Sequence, residues 1–449
     1  MYALSITNID QFELLKKFMP FKDHLDLENR WIVLADRIDW TGFEKTYSQT
    51  FSHTGRPGIE SRKLIGALLL KHILCMSDEE ITRQITENPY LQYFIGLEDF
   101  RSRPPFHPTS LSNARKRLGE KEFDDFEKYL IDSLIREKLI KPKGFHVDAT
   151  VFESNVTYPT DSGILNKARG FCVEQIRSLS KIAGRKIRTS CRKAQKEYRS
   201  FQKKRRKTKK EIRRMNKSLL QYLRRNIRQL TEIITESESK GHFVSGKLLE
   251  RLETVKQIYA QQKYMYDNKT HRVEGRIVSL AKPYVRPIVR GKTGKDVEFG
   301  LKGNLSYVDG YLFLDHHDFE NFHEGSRLPE SVEKFRTRFA KHARWASGDQ
   351  IYGTRENRRY LKRLKEEESV EIRTSMKPLG RPKIRGSTDS SKRWRRKKQK
   401  ERNRIEGAFG VTKEHYLLKK VRAKRPETEL SWIKMGLLSH NLVTATRRI

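Results

Sequence analysis

The sequence predicts an α/β fold in which a mixed β-sheet is preceded by an all-α region and interrupted by a basic helical insertion. Residues up to about 135 have helical apolar spacing, and Ser77 and Glu80 have the spacing of a capping box. Residues 144–159 and 295–319 are instead rich in the β-branched and aromatic residues that strands favour. After residue 319 short strands alternate with helices, which is typical of a mixed sheet.

The amino-terminal region, residues 1–140, is predicted to be a helical domain that serves DNA binding or assembly. One of its helices carries three consecutive cations, Arg115, Lys116 and Arg117. Short helices with a basic face suit a helix-turn-helix-like reader whose cations contact DNA phosphates. Basic helix faces are also common on proteins that bind no DNA, so groove recognition by this region stays open.

Residues 166–279 are predicted to form the basic helical insertion. Within 181–230 there are 21 Lys and Arg residues against two Glu residues, and 199–230 contains neither Pro nor Gly. These features predict a helical hairpin whose turn lies within 236–246. With too few apolar positions for a core of its own, the hairpin is expected to lie along DNA phosphates. A solvated charged arm is the alternative.

The chain as a whole is strongly basic. Its 449 residues include 95 Lys and Arg against 56 Asp and Glu, a formal charge of +39. Such a charge favours a polyanionic partner, of which nucleic acid is the obvious one. No apolar run of about 18 residues predicts a membrane span, and no secretory signal is recognised. The three cysteines follow neither a zinc nor a disulfide pattern, which fits a reducing cytoplasm.

Two aspartates occupy positions in the predicted sheet where an acidic residue needs an explanation. In residues 145–152 the apolar side chains alternate, so Asp148 lies on the opposite face of the strand, together with His146 and Thr150. Asp349 follows the short strand that ends in Ala-Ser-Gly, and functional sites gather at the carboxyl ends of such strands. A solvent-facing edge position for Asp148 and a helix N-cap for Asp349 are the ordinary alternatives.

A third acidic residue, Glu406, is predicted to lie on a basic helix. Arg402 precedes it by four residues and Lys413 follows it by seven. At about 100° per residue the three side chains project within roughly 40° of one another, on one face. One carboxylate between two cations suits a metal ligand beside DNA phosphates. An exposed ion pair between residues four apart is the alternative.

The segments HVDATVFESNVTYPTDSGIL, SGDQIYGTRENRRYL and RNRIEGAFGVTKEHYLLKKVRAK resemble the three acidic motifs of the DDE transposases of bacterial insertion sequences. Arg402, Glu406 and Lys413 have the spacing of the Arg, Glu and Lys in the Y-R-E-K signature of insertion-sequence families four and five. Gln399 stands where that signature has Tyr. Residues 55–97 also resemble the amino-terminal helical domain of this group.

The resemblance implies an RNase H-like catalytic domain built from residues 141–165 and 280–449. Asp148 is then expected on the first strand, Asp349 at the end of the fourth, and Glu406 on a late helix packed on the sheet. In this family the three carboxylates hold two Mg²⁺ or Mn²⁺ ions, which clamp the scissile phosphate and stabilise the attacking and leaving oxygens. Arg402 and Lys413 are expected to position phosphates rather than bind metal.

The sequence therefore predicts a bacterial DNA transposase, in the cytoplasm and associated with the nucleoid. It is expected to bind terminal inverted repeats and target DNA as a homodimer or higher oligomer. It would cut at the element ends and join the freed 3′-hydroxyl to the target. The alternatives are a catalytically silent regulator derived from a transposase, a nuclease that cuts without joining, and a basic RNA- or ribosome-associated protein. The Asp-His-His-Asp run at 315–318 is interpreted as a polar strand end rather than a second metal cluster.

Overall fold

The computed structural model describes residues 25–51, 58–292, 295–378 and 389–448. The chain divides into two compact units. The first comprises Met1–Glu153, Leu301–Asp318 and Phe322–Ile449, and the second comprises Ser154–Gly300 and Phe319–Asn321. The first 24 residues, part of the segment 55–97, and most of the basic loop after Met376 lie outside the described residues.

The amino-terminal part of the first unit is helical, as predicted. Ser77 begins one helix with the expected cap, because its hydroxyl oxygen accepts a hydrogen bond from the backbone N–H of Glu80 at 3.0 Å. Apolar side chains from these helices belong to a core that continues into the sheet. The helices are α1 (Arg30–Ala35), α2 (Trp40–Ser48), α3 (Ser61–Ile73), α4 (Asp78–Glu87), α5 (Pro89–Phe94), α6 (Thr109–Arg117) and α7 (Glu120–Arg136).

The sheet of the first unit is mixed, which confirms the predicted fold class at that level. Its strand order is β4–β3–β1–β5–β6, with β1 parallel to β5, β5 parallel to β6, and β3 antiparallel to β4. The first strand in the chain thus lies between the second and the fourth of this set. The strands are β1 (Gly144–Glu153), β3 (Lys295–Val308, which begins in the second unit), β4 (Tyr311–Asp318), β5 (Trp345–Ser347) and β6 (Arg373–Thr374).

The sequence Val308-Asp309-Gly310-Tyr311 predicts a hairpin turn, and this turn joins β3 to β4. Val308 pairs with Tyr311, and the two residues between them, Asp309 and Gly310, have φ angles of 48° and 101°. Two consecutive residues with positive φ give a turn whose twist matches that of the flanking strands. Gly310 suits the second position because it has no Cβ to oppose this conformation.

Four longer helices follow the hairpin in the described residues. The sequence of 429–448 predicts an amphipathic helix, but in the last of the four helices consecutive residues from Ser431 to Ile433 and from Met435 to Leu442 are buried. The helix packs against α3, α7 and β4, so no side of its central part faces solvent. The four helices are α12 (Leu328–Phe339), α13 (Arg355–Glu367), α14 (Asp389–His415) and α15 (Pro426–Thr446).

The second unit has a hydrophobic core of its own, which corrects the prediction that the insertion has too few apolar residues to form one. Leu219, Leu223, Leu230 and Ile233 are each 0% exposed and lie at helical spacing among the cations. A preceding helix supplies the opposite wall of this core, with Cys172 among its buried residues. The predicted turn at 236–246 joins the two long helices. The unit contains α8 (Asp161–Ala183), α9 (Cys191–Lys203), α10 (Lys209–Ser239), α11 (Gly246–Asp267) and β2 (Pro287–Lys292).

Among the helices of the described ranges, none combines the length and apolar character that crossing a membrane requires.

Candidate active site

Asp148 lies in the middle of β1, on the face opposite the buried Val147 and Ala149, as the alternation predicts. Its side chain is 17% exposed, and its Oδ1 accepts a hydrogen bond from the backbone N–H of Ala149 at 2.8 Å. Burial raises the pKa of Asp148 to about 6, although that hydrogen bond and the Arg402 guanidinium act in the opposite direction. A bound cation would therefore stabilise the charged form of this carboxylate strongly.

Arg402 on α14 brings two of the predicted site residues together. Its Nη1 lies 3.0 Å from Oδ2 of Asp148 and 3.0 Å from Oε1 of Glu406. Two oxygens at this distance from one nitrogen can be no more than about 6 Å apart, which is within the reach of a shared pair of metal ions. The guanidinium is mostly buried, with 16% of the side chain exposed, whereas Glu406 is 56% exposed. The helix and the strand thus meet at a cation held between two carboxylates.

Asp349 lies just after the end of β5, the strand that pairs with the strand of Asp148, β1. The parallel pairing of the two strands ends at His146 and Ser347, and Asp148 and Asp349 each follow this pair by two residues. Asp349 is exposed and begins a short 3₁₀ turn, where its Oδ1 accepts a hydrogen bond from the backbone N–H of Gln350 at 2.6 Å. The predicted position of Asp349 after a strand and the N-cap interpretation therefore describe the same geometry.

The buried Tyr352 lies within electrostatic range of several acidic groups of this region. Its pKa is raised well above the usual range by burial first, and then by carboxylates that include Glu324, Asp148 and Asp349. The hydroxyl donates a hydrogen bond to Oδ1 of Asn304 at 2.6 Å. Asp148 and Asp349 thus both act electrostatically on Tyr352.

The three predicted carboxylates do not form a ready-made metal cluster. Within the part of the chain that the structure describes, no group of three His, Cys, Asp or Glu side chains is arranged to hold an ion. Asp148 and Glu406 are brought together, whereas Asp349 is directed to its own turn. The site therefore consists of one close carboxylate pair and a third carboxylate on the adjacent strand.

Gln399, which stands at the Tyr position of the Y-R-E-K spacing, ties α14 to the segment that carries Asp349. Its Nε2 donates hydrogen bonds to the carbonyl oxygen of Gly348 at 2.9 Å and to Oγ of Ser375 at 3.0 Å. Oγ of Ser375 lies 2.8 Å from Oγ of Ser347, the last residue of β5. The sequence signal at this position was the departure from the signature, which did not by itself reveal these partners.

Gly348 is required where it stands. A Cβ there would lie 2.9 Å from both Cδ2 of Tyr352 and Cγ1 of Val147, and so would push Asp349 away from β1.

Glu324 is an acidic neighbour that the sequence analysis did not identify. It raises the pKa of Asp148, and its carboxylate pairs with the buried Lys302 at 3.0 Å. Lys302 also donates a hydrogen bond to the carbonyl oxygen of Phe322 at 2.8 Å. No motif in the sequence singles out this pair, because the two residues come from different elements and meet only in the fold.

The cations predicted to bind phosphate are placed differently from one another. Lys413 lies on α14 and is partly buried, and its carbonyl oxygen accepts a hydrogen bond from the backbone N–H of Lys419 at 3.0 Å. Arg115 is 9% exposed, and both of its Nη atoms donate hydrogen bonds to the carboxylate of Asp78, one of them to Oδ1 at 3.0 Å. This buried ion pair argues against phosphate binding by Arg115. Lys116 and Arg117 are exposed.

The Asp-His-His-Asp run does not converge on one point. Asp315 is buried against Arg338, His316 lies beside Glu330, and His317 lies beside Glu120. Successive strand residues face opposite sides of the sheet, so the run distributes its side chains between separate partners.

Two segments of the chain match families of known proteins. Residues 15–117 match the family described as "Transposase domain (DUF772)", and residues 347–443 match "Transposase DDE domain". The second match includes Asp349, Gln399 and Glu406. A curated relative, "Uncharacterized protein ORF8 in nfe locus" of Rhizobium meliloti, is 30% identical over 155 residues, which cover 33% of this chain and 75% of the relative. No solved structure matches the chain significantly.

The two family matches identify this basic α/β protein, which has an acidic site on its sheet, as a DNA transposase. The chain belongs to the DDE transposases. Members of this family generally use divalent metals and bind DNA.

Proposed function

We propose that this transposase cuts DNA at the ends of an insertion sequence and joins the freed 3′-hydroxyl to target DNA. The observation that carries the proposal is the close pair of carboxylates, Asp148 and Glu406, beside the strand that leads to Asp349. β1 carries Asp148 and β5 leads to Asp349, and these two strands are neighbours in the sheet. The silent-regulator alternative is not favoured, because all three acidic residues are present.

The donor set fits Mg²⁺ or Mn²⁺. Mg²⁺ prefers oxygen ligands and is commonly held by one or two carboxylates together with waters and substrate phosphates. The pair of Asp148 and Glu406 meets this need, and a bound cation would lower the pKa of Asp148, which burial raises. Asp148, Asp349 and Glu406 would hold two ions, which supply charge neutralisation at the scissile phosphate and activation of the attacking oxygen.

The remaining residues of the site have positioning roles in this proposal. Arg402 holds the two carboxylates at one place, and we propose that its guanidinium turns to the entering DNA phosphate once metal ions occupy these carboxylates. Lys413, on the same helix, is proposed to contact phosphate further along. Gln399 fixes the backbone before Asp349 relative to α14. We assign Arg115 a structural role instead, since Asp78 occupies its guanidinium.

The helical region 1–140 is proposed to bind DNA or to assemble protomers, with Lys116 and Arg117 as phosphate contacts. The second unit is proposed to lie along DNA through the exposed cations of α10 and of the turn before it, such as Arg205 and Arg206. We further propose that two or more copies act together on paired ends, within the bacterial nucleoid.

Metal-dependent cleavage tests the proposal directly. DNA that carries the ends of the element is incubated with Mg²⁺ and either the wild-type protein or Asp349→Asn. Asn caps a helix about as well as Asp does, so the variant should fold while it loses the carboxylate. We expect cleavage to fall by at least about 10²-fold, because a charge that stabilises the transition state is removed. Equal cleavage by both proteins, or cleavage by the wild type in EDTA, would contradict the catalytic assignment.

A second measurement tests the role of Gln399. Gln399→Leu removes both hydrogen bonds of the side-chain amide, so the Asp349 segment loses its tie to α14. Misplacement of a reacting group by about 1 Å can cost about 10²-fold in rate, and we expect a loss of about 10- to 100-fold in single-turnover cleavage. The dissociation constant for DNA should not change. Gln399→Tyr restores a hydroxyl donor and should recover part of the rate; equal loss in both variants would contradict the role.

A further inference from the structure

A basic cleft of about 600 Å³ opens in the first unit, and its lining includes none of Asp148, Asp349 and Glu406. Its walls come from residues 71–79, from α6, and from residues 417–432. Five exposed cations form its rim: Lys116, Lys420, Arg422, Lys424 and Arg425. Together with Lys71 and Arg115 they make seven cations among the lining residues, against the two carboxylates of Asp78 and Glu79.

The floor of the cleft is built from Trp432, two cations and Asp78, whose carboxylate offsets part of the positive charge there. The ring of Trp432 lies under the Lys71 amine at 4.4 Å and the Arg115 guanidinium at 5.5 Å. Both cations also pair with Asp78, so the negative charge of this carboxylate is already compensated by Lys71 and Arg115. The indole N–H of Trp432 donates to the carbonyl oxygen of Leu417 at 3.0 Å, which ties the ring to the start of its own wall segment. Of the lining carboxylates only the exposed Glu79 remains to offset the charge of the five rim cations.

The segment that carries most of the rim is held in place by its own backbone and apolar residues. Leu418 and Val421 are each 0% exposed, and the backbone N–H of Val421 donates to the carbonyl oxygen of Glu153 at 2.7 Å. Lys420 and Arg422 flank the buried Val421 and are exposed. Because the backbone is anchored, binding an anion here orders side chains only, which lowers the entropic cost of association.

We propose that this cleft binds the phosphodiester backbone of duplex DNA, whatever its base sequence. Five rim cations from two separate wall segments exceed what one phosphate group needs, and they suit a ligand with regularly repeated charges. The cleft contains none of the residues Asp148, Asp349 and Glu406, so it is a second DNA contact rather than part of the cleavage site. The inference rests on the proposed function only in taking DNA as the ligand.

Salt-dependent binding tests the cleft. The full-length protein is titrated against a fluorescent duplex of unrelated sequence, in EDTA, at several salt concentrations. Each phosphate contact that is lost should reduce the slope of log Kd against log salt by about one. For the triple variant Lys420→Ala, Arg422→Ala, Lys424→Ala we expect the slope to fall by about two to three and Kd to rise by at least about 10-fold at low salt.

The chain supplies a matched control. Lys419 is also exposed and precedes Lys420 directly, but it pairs with Glu414 at 2.7 Å and does not line the cleft. Lys420→Ala should reduce the slope, whereas Lys419→Ala should leave it unchanged. An unchanged slope in the triple variant, or equal effects of the two single substitutions, would overturn the inference.

Failure of this inference can be told apart from failure of the proposed function. The binding assay contains no metal and no chemistry, so it does not depend on Asp349. If the triple variant binds like the wild type while Asp349→Asn still abolishes cleavage, only the cleft assignment is wrong. If the triple variant loses binding while Asp349→Asn cleaves normally, the cleft stands and the catalytic site is wrong. Unaltered thermal unfolding of each variant confirms that the fold is retained.

Discussion

Replacing Glu406 with Gln is expected to reduce metal-dependent cleavage by at least about 10²-fold and to leave the stability of the protein unchanged. The side chain is 56% exposed, and an exposed ion pair such as the one with Arg402 contributes about 1 kcal/mol or less to stability. The activity depends instead on a negative charge close to Asp148, because two carboxylates that share metal ions must both be ionised. Single-turnover cleavage and thermal unfolding of the same preparation measure the two effects separately.

Glu414→Gln is the matched control for this prediction. Glu414 lies on the same helix, is also 56% exposed, and also pairs with a cation, Lys419 at 2.7 Å. The two substitutions therefore have the same chemistry, exposure and helix context, and they differ in their distance from Asp148. Glu414→Gln should cleave DNA like the wild type. If both variants lose activity equally, the effect belongs to the charge of α14 and not to a site carboxylate.

The local parts of the fold could be predicted from sequence because their signals are local. Alternation in 145–152 places Asp148 on the face opposite Val147, and the Asp309–Gly310 pair indicates the turn of the hairpin. These patterns express the periodicity of one strand or the conformational preference of one turn. They need no knowledge of what packs against the element.

The parts that were missed depend on partners far away in the chain. The apolar stripe of α10 alone is too sparse to indicate a core, because the partner helix α8, which supplies the other side of that core, is distant in the sequence. The Arg115 guanidinium was expected at a phosphate, but it meets Asp78, 37 residues earlier. A cation on a helix looks the same in sequence whether it faces solvent or a buried carboxylate. Only the fold distinguishes the two.

The candidate site was predicted from a combination of both kinds of signal. Single residues such as Asp349 had ordinary explanations, and the resemblance to a family gave them a common role. The structure adds the contact across 254 residues between Asp148 and Arg402, which no local pattern contains. It also shows that Gln399 donates two hydrogen bonds at the position where the family signature has Tyr.

Replacing Arg338 with Met is expected to destabilise the protein by about 3–5 kcal/mol, the usual cost of leaving a buried charge without its partner. Arg338 on α12 is 9% exposed, and its guanidinium contacts Asp315, whose side chain is 0% exposed. It also pairs with Glu127 of α7 at 2.6 Å and donates to the carbonyl oxygen of Leu314 at 2.8 Å. One side chain thus joins α12 and α7 to β4. Denaturant unfolding of the variant and the wild type measures the effect.

Arg336→Met is the control on the same helix, because Arg336 is 47% exposed and its pair with Glu333 should contribute less than about 1 kcal/mol. The double variant Asp315→Asn, Arg338→Met separates the two possible causes of the loss. If the cost arises from an uncompensated buried carboxylate, removing the charge of Asp315 as well should recover a large part of the stability, since replacing both members of a buried pair is often nearly neutral. If the double variant is less stable than Arg338→Met, packing rather than charge holds these three elements together.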